Sequence, residues 1–191
     1  MDPIAQFESW WTDAKQHPAI TEPTAMTLAT STADGKPSAR IVLLKECNDQ
    51  GFLFYTNHTS RKSNELNANP FAALCFYWMP LGRQVRVEGT VTAASNAEAD
   101  AYFASRPRPR QIGAWASLQS QEMATRDDLE TRVTALEKQY DGKPIPRPPH
   151  WSGWRLTPQV MEFWAASDAR LHVRDLYTRT DSAWVHTLLY P

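Results

Sequence analysis

The sequence predicts an α+β chain, mainly β, in which a meander or barrel of antiparallel strands carries helices around it. Short β-prone runs punctuated by turn residues recur from Ala25 to Ala93. Helical periodicity takes over from Asn96 to Tyr140, and strand-like runs return from Trp154 to Leu189. No internal repeat or low-complexity tail breaks the 191 residues, so one domain over 1–191 is expected.

Asp2-Pro3 is an N-cap followed by proline at the first helical position, and Phe7, Trp10, Trp11 and Ala14 recur at helical spacing. A short amphipathic helix over 3–16 follows. Ala25 to Ser31 reads as a strand and Ala33-Asp34-Gly35-Lys36 as a turn. Ala39 to Lys45 contains the contiguous run Ile41-Val42-Leu43-Leu44, which predicts a strand buried on both faces. Asp49-Gln50-Gly51 is a second turn before a strand over Phe52 to Thr56. Ser60 can cap a helix over Arg61 to Asn67, stopped by Pro70. Phe71 to Trp78 and Gln84 to Ala93 are further strands. Asn96 to Ser105, Gln111 to Ser117 and Met123 to Tyr140 are helices. Four prolines between Lys143 and His150 make an extended connector. Trp154–Thr157, Val160–Trp164, Leu171–Tyr177 and Ala183–Leu189 finish the chain as strands.

Composition excludes several classes. The formal net charge is -1, so no global field favours nucleic acid or an anionic membrane. Cys47 and Cys75 form no CxxC pair and have no His-rich company, which argues against a structural zinc or a disulfide framework. Reduced thiols, an acidic and aromatic start and no run of roughly 20 apolar residues predict a cytoplasmic protein without a signal peptide or membrane span. The basic residues are fourteen Arg against six Lys. Arginine's planar fork matches phosphate and carboxylate oxygens, although a GC-rich genome produces the same bias.

No GxSxG, HExxH, GxGxxG or GxxxxGK[ST] motif is present, so a bound phosphate has to be held by side chains. Arg40 and Lys45 bracket one strand and, about 17 Å apart on opposite faces, would meet different ends of a ligand. Arg61-Lys62 opens a helix just after Thr56-Asn57, an arrangement suited to an anion or to a solvated cationic pair. Arg106, Arg108 and Arg110 alternate with prolines that fix the backbone, displaying three guanidiniums at a second anion site or on a basic surface loop. In Arg170-Leu171-His172-Val173-Arg174 the three polar residues share one face if the segment is a strand. An imidazole between two cations is disfavoured in its protonated form and could serve as a neutral base or donor. Trp164, after Glu162-Phe163, could lie beside a planar cofactor or simply fill the core.

These segments together resemble the pyridoxamine 5'-phosphate oxidase family. The resemblance runs from Asp2 over nearly the whole chain. It includes Arg40-Ile-Val-Leu-Leu-Lys45, Gly51 to Asn57, Ser60-Arg-Lys62 with Glu65-Leu66, Arg83-Gln-Val-Arg-Val-Glu-Gly89, Ser105-Arg-Pro107, Gln111-Ile-Gly-Ala114, Gln119-Ser120, Glu162-Phe-Trp164 and Arg170-Leu-His172. It implies an FMN-binding split β-barrel, homodimeric with FMN at the subunit interface and with strands over 151–191 serving dimerisation and substrate. It implies that Arg40, Ile41, Val42, Leu43 and Lys45 lie along the flavin, with Arg40, Arg61 and Lys62 at its phosphate. Tyr55, Thr56, Gln84, Trp164 and Arg174 match flavin-contacting positions. Gln119 and Ser120 match positions that approach from the other subunit. Lys45, Tyr102 and Arg106 match a grip on the substrate 5'-phosphate, with Arg110 beside them, and Arg170 and His172 match the catalytic pair over the pyridine ring. The implied reaction oxidises pyridoxamine or pyridoxine 5'-phosphate to pyridoxal 5'-phosphate. Hydride passes from C4' to flavin N5, and oxygen returns as hydrogen peroxide.

Four positions depart from the family pattern. Arg110 stands where the pattern has Ser, Val173 where it has Asp, Ala165-Ala166 where it has Gln-Gly, and Leu188 where it has Arg. Family members often carry an Arg/Tyr-bearing segment ahead of the Asp-Pro helix, so a more open site, or closure by other means, is expected. Two other readings stay open: a related flavin oxidase acting on another small aromatic, as in phenazine biosynthesis, and a non-catalytic binder of flavin or pyridoxal phosphate.

Overall fold

The computed structural model describes residues 2–181 and 183–191. Helix α1 (Pro3–Gln16) starts where the Asp2 carboxylate accepts the Ile4 N–H at 3.0 Å, with Pro3 in the first turn. It buries Ile4, Phe7 and Ala14, and the Phe7 ring stands edge-on to Phe52 and Phe76 at 4.8 and 4.9 Å. The helix therefore plugs one end of the main core.

Strands β1 (Ala25–Ser31) and β2 (Pro37–Leu43) form a hairpin, with Gly35 at φ +83° in its turn. Next come β3 (Glu46–Asn48), β4 (Gly51–Asn57), α2 (Arg61–Ala68), β5 (Phe71–Trp78) and β6 (Arg83–Ala93). Three helices follow: α3 (Asn96–Ser105), α4 (Arg108–Ala116) and α5 (Arg126–Gln139). Capping boxes at Ser95/Glu98 and Thr125/Asp128 set the starts of α3 and α5. The prolines after α5 prevent another helix, and the chain re-enters the sheet as β7 (Trp151–Ala165), β8 (Val173–Arg179) and β9 (Trp184–Leu188).

All strand pairs are antiparallel, in the order β2-β1-β5-β6-β7-β4-β3, with β8 added to β7 and β9 to β8. The sheet curls into a split barrel. Strand β7 forks it: Trp151–Leu156 pair with β4, Val160–Ala165 pair with β8, and the opposite edge runs along β6. Phe52, Phe54, Leu74, Phe76, Val85, Val87, Leu156 and Phe163 fill the interior. A smaller cluster of Phe103, Ile112, Ile145 and Trp151 sits under α3 and α4.

Five expectations need correction. β2 is not buried on both faces: it is an edge strand paired only with β1, and Ile41 is 64% exposed. Within the run, Leu44 is buried in the main core and Val42 packs against it, while Ile41 faces outward. The two strands expected over Trp154–Thr157 and Val160–Trp164 are one, because the register shift opposite Glu88/Gly89 leaves Gln159 as a bulge and keeps Pro158 paired with Gly89. Gly89 makes that possible, since a Cβ there would lie 2.0 Å from the Thr157 carbonyl oxygen. Arg170 to His172 are not in a strand: Asp168–Arg170 form a 3-10 turn and β8 begins at Val173. Ser60 occupies the N-cap of α2 without a side-chain cap, its hydroxyl donating instead to the Asn57 carbonyl at 2.7 Å. The predicted start of the last strand at Ala183 falls one residue early, and Ser182 beside it lies outside the described residues.

Candidate active site

A cavity of about 340 Å³ opens between the end of β2, strand β4 and the α3–α4 corner. Its walls include Ile41, Val42, Leu43, Lys45, Tyr55, Thr56, Lys62, Tyr102, Arg106, Arg110 and Gln119, all candidates from sequence. Trp151, the remaining lining residue, was not. The cavity therefore carries four cations and no carboxylate.

One wall is aromatic. The Tyr55 ring stacks on Tyr102 at 4.2 Å and on Trp151 at 5.2 Å, nearly parallel to both. Gly153 allows this, because a Cβ there would lie 2.9 Å from the Tyr55 ring. The Arg106 guanidinium lies 4.7 Å from the Trp151 centroid, and its Nη1 is buried without a hydrogen-bond partner. Burial pushes the Tyr55 phenol up to about 12, so it stays protonated, its hydroxyl 3.3 Å from the Glu98 carbonyl.

Lys62 forms the polar floor. Its ammonium donates to Thr56 Oγ1 and Ser60 Oγ at 3.0 Å and to Gln119 Oε1 at 2.9 Å. All three acceptors are neutral. Burial, helped by the Arg40 charge, lowers the Lys62 pKa to about 8. A buried ammonium whose direct contacts are all neutral is suited to completion by an anion. Gln119 makes this contact within its own chain, so it reaches the pocket without help from a partner. Ser120 follows at φ +72° and lines an adjoining groove with Arg61.

Arg40 and Arg61 do not join that floor. Both turn to the buried Glu65: Arg40 Nη2 to Oε2 at 3.1 Å, Arg61 Nε to Oε1 at 2.8 Å. Arg40 also bonds Thr30, Ser38 and the Leu28 carbonyl. Burial alone would raise the Glu65 pKa, but hydrogen bonds from Thr30, Arg61 and Arg40 hold it below the usual carboxylate range. Glu65 holds both arginines in place. Its spacing of four from Arg61 on one helix was the available signal.

The other candidates gather at the far end of β7. Gln84, Trp164 and Arg174 are register partners across β6, β7 and β8. His172 lies over Trp164 with ring centres 4.5 Å apart, and its Nδ1 faces the Ser167 N–H at 3.3 Å. Ala169 and Arg170 adopt φ +53° and +63°, a left-handed pair that replaces strand alternation, so the expected common face of Arg170, His172 and Arg174 does not exist. Arg174 is ion-paired with buried Glu162 at 2.8 Å, which removes one of the two free cations expected beside His172. Trp151 and Trp164 are separated by thirteen residues of β7, roughly 40 Å of extended strand. One chain holds the two halves of the candidate set apart.

Cys47 and Cys75 are both free thiols, and burial pushes Cys47 up to about 12, so neither is set up as a nucleophile. Among the described residues, no helix is long and apolar enough to cross a membrane.

Comparison with known proteins is consistent along the whole chain. Residues 12–140 match the family described as "Pyridoxamine 5'-phosphate oxidase", and 151–191 match "Pyridoxine 5'-phosphate oxidase C-terminal dimerisation region". A pyridoxine/pyridoxamine 5'-phosphate oxidase of Myxococcus xanthus is 57% identical over 190 residues, covering 100% of this chain and 92% of that protein. One from Acaryochloris marina is 53% identical, covering 100% and 86%. Among solved structures, PhzG from Burkholderia lata in complex with tetrahydrophenazine-1-carboxylic acid superposes with a TM-score of 0.94 at 36% identity, covering 100% of this chain and 93% of that one. An FMN-binding protein from Nostoc punctiforme, related to pyridoxamine 5'-phosphate oxidase, shares the fold with a TM-score of 0.79 at 17% identity, covering 100% and 99%.

Proposed function

Because this chain belongs to the pyridoxamine 5'-phosphate oxidase family, we propose that it oxidises pyridoxamine and pyridoxine 5'-phosphates to pyridoxal 5'-phosphate. FMN is its cofactor, oxygen the acceptor and hydrogen peroxide the product. The observation that carries this reading is the cavity itself: four cations, no carboxylate and a stacked aromatic wall suit a planar, phosphorylated ligand.

The donor set fits FMN. Lys62, with Thr56 and Gln119 around its ammonium, would hold the flavin phosphate, and the edge of β2 at Ile41–Leu43 would lie along the ring system. FMN when bound supplies the ring that accepts the substrate's hydride and passes the electrons to oxygen. The protein's own work is binding and proton placement. Lys45, whose ammonium has no polar partner among the described residues, would hold the substrate phosphate with Tyr102 and Arg106. The Ser167 N–H on His172 Nδ1 leaves Nε2 to carry the ring proton in the neutral imidazole, making His172 a hydrogen-bond donor. Arg170 adds a permanent positive charge beside it.

Since His172 and Arg170 lie far along β7 from Lys62, a second copy of the chain would supply them to the cavity. The match of 151–191 to a dimerisation region and the uncovered apolar edge of β2 support a homodimer with shared sites. Purified protein with FMN in air should convert both phosphates, given separately, with aldehyde and peroxide in equal amounts. Flavin binding without product from either would reject the assignment.

The likeness to PhzG, together with Arg110 and Val173, favours a second reading: oxidation of a carboxylated, partly reduced aromatic. The same assay with such a compound, lacking phosphate, separates the two.

A further inference from the structure

Arg155 of β7 is 7% exposed, yet it stands behind the cavity and is not part of its lining. It is the register partner of Leu53 in β4, which pairs in turn with Glu46 of β3. Its guanidinium reaches to both sides. On one, Nη1 and Nη2 donate to Glu46 Oε1 at 3.2 and 3.3 Å, and Nη1 donates to Asn48 Oδ1 at 3.3 Å. On the other, Nη2 donates to Glu98 Oε1 at 2.7 Å. Each carboxylate adjoins a residue of the cavity wall. Glu46 directly follows Lys45, and Glu98 lies one turn before Tyr102 on α3. The backbone carbonyl of Glu98 is also the one that meets the Tyr55 hydroxyl.

Apolar burial does little to fix that helix, since α3 buries only Ala99 and Phe103. Exposed ion pairs contribute little, but a buried guanidinium stripped of its partners is costly, so this bridge holds its geometry. Hydrogen bonds from Ser95 and from Arg155 bring the Glu98 carboxyl down to about 2, which keeps the bridge charged at neutral pH. Resting on the function proposed above, we propose that Arg155 is a positioning residue for the substrate end of the cavity. By bridging Glu46 to Glu98 it sets the spacing between Lys45 on one wall and Tyr102 on the other. It touches no ligand itself. The flavin floor around Lys62 rests on Thr56, Ser60 and Gln119 and is independent of the bridge. The effect of Arg155 therefore falls on how tightly the substrate is held.

The test compares wild-type, R155M, R155K, E98Q and R155M/E98Q proteins, loaded with FMN. Each is assayed for kcat and KM with pyridoxine 5'-phosphate and titrated calorimetrically with inorganic phosphate. Arg147 holds α3 separately, donating to Asp100 Oδ1 at 2.5 Å and Asn96 Oδ1 at 2.9 Å, so the variants should keep the fold. E98Q keeps a side-chain acceptor able to close the capping box and loses only the charge. R155M should raise KM and weaken phosphate binding about tenfold, with kcat and FMN affinity nearly unchanged. The tyrosine near-UV circular dichroism of the flavin-free protein should change with it. R155K should recover part of the loss, because one ammonium cannot engage two carboxylates as a planar fork does. The double variant should be no worse than R155M, since both substitutions break one bridge. A lower melting temperature with KM, phosphate affinity and the tyrosine signal unmoved would make Arg155 a stabilising pair only and overturn the proposal. A loss confined to kcat or to FMN affinity would overturn it too. If the wild type turns over no pyridoxine 5'-phosphate while R155M still shows the phosphate and tyrosine changes, the substrate assignment fails and the positioning role stands.

Discussion

At the scale of single residues, charge placement decides what this pocket can hold. Lys62 has a lowered pKa, so between about 8 and 10.5 the unfolded chain binds more protons than the folded one. The stability contribution of Lys62 therefore rises with pH across that window, and its burial penalty is fully present below it. Thermal unfolding of flavin-free wild-type protein against K62M, from pH 7 to 10.5, should show that rise in the wild type alone. Flavin affinity should follow the opposite course, weakening above about pH 8 as the ammonium is lost. At pH 7, K62M should weaken FMN binding by about 10- to 100-fold in a fluorescence titration. Glu65 is the complementary case. E65A removes the shared partner of Arg40 and Arg61 and should cost about 2–3 kcal/mol in denaturant unfolding. The depressed pKa of Glu65 means that its stabilisation is present at neutral pH and is lost as pH falls below the ordinary carboxylate range. The wild-type advantage over E65A should accordingly shrink in acid. Most cavity residues were legible in the sequence because they sit in dense motifs. Glu65 and Trp151 were not assigned roles, since an ion-pair partner and a stacking ring are defined by neighbours far away in sequence.

At the scale of elements, β1, β2, β4, β5 and β6 were readable because turn or breaker residues bound them and β-prone residues fill them, whereas the three-residue β3 was not expected. The segment from Ala165 to Arg174 was not. Its alternation of polar and apolar residues imitates a strand, whereas Ala169 and Arg170 sit in the left-handed region that no side-chain pattern announces. The contiguous apolar run of β2 was read correctly as a strand and wrongly as an interior one, since sequence does not say whether apolar residues face their own chain or another. The meeting of β4 and β7 beneath Tyr55 is equally constrained. G153A places a methyl 2.9 Å from that ring, so the Tyr102–Tyr55–Trp151 stack must shift. The variant should lose about 1–3 kcal/mol of stability, and the shift in tyrosine near-UV circular dichroism should accompany weaker ligand binding.

At the scale of the whole molecule, the separation of Lys62 from His172 makes a genetic-style prediction. K62M and H172A should each be nearly inactive alone. Mixed and refolded together, half the dimers carry one of each chain, and in each of those one site has both residues intact. Activity should return to about a quarter of wild type. No recovery on mixing would show that each chain builds its site alone.

The fork in β7 also has a consequence for how the chain is made. Its fifteen residues join β4, β6 and β8, three partners drawn from both ends of the sequence. Until Trp151–Ala165 leave the ribosome, β4 has only the three-residue β3 beside it and β6 is bare along one edge. At roughly 5–20 residues per second, the last forty residues take several seconds to appear. During that interval most of the barrel is synthesised but cannot close, and a stall near Pro149 would hold it open for capture by chaperones.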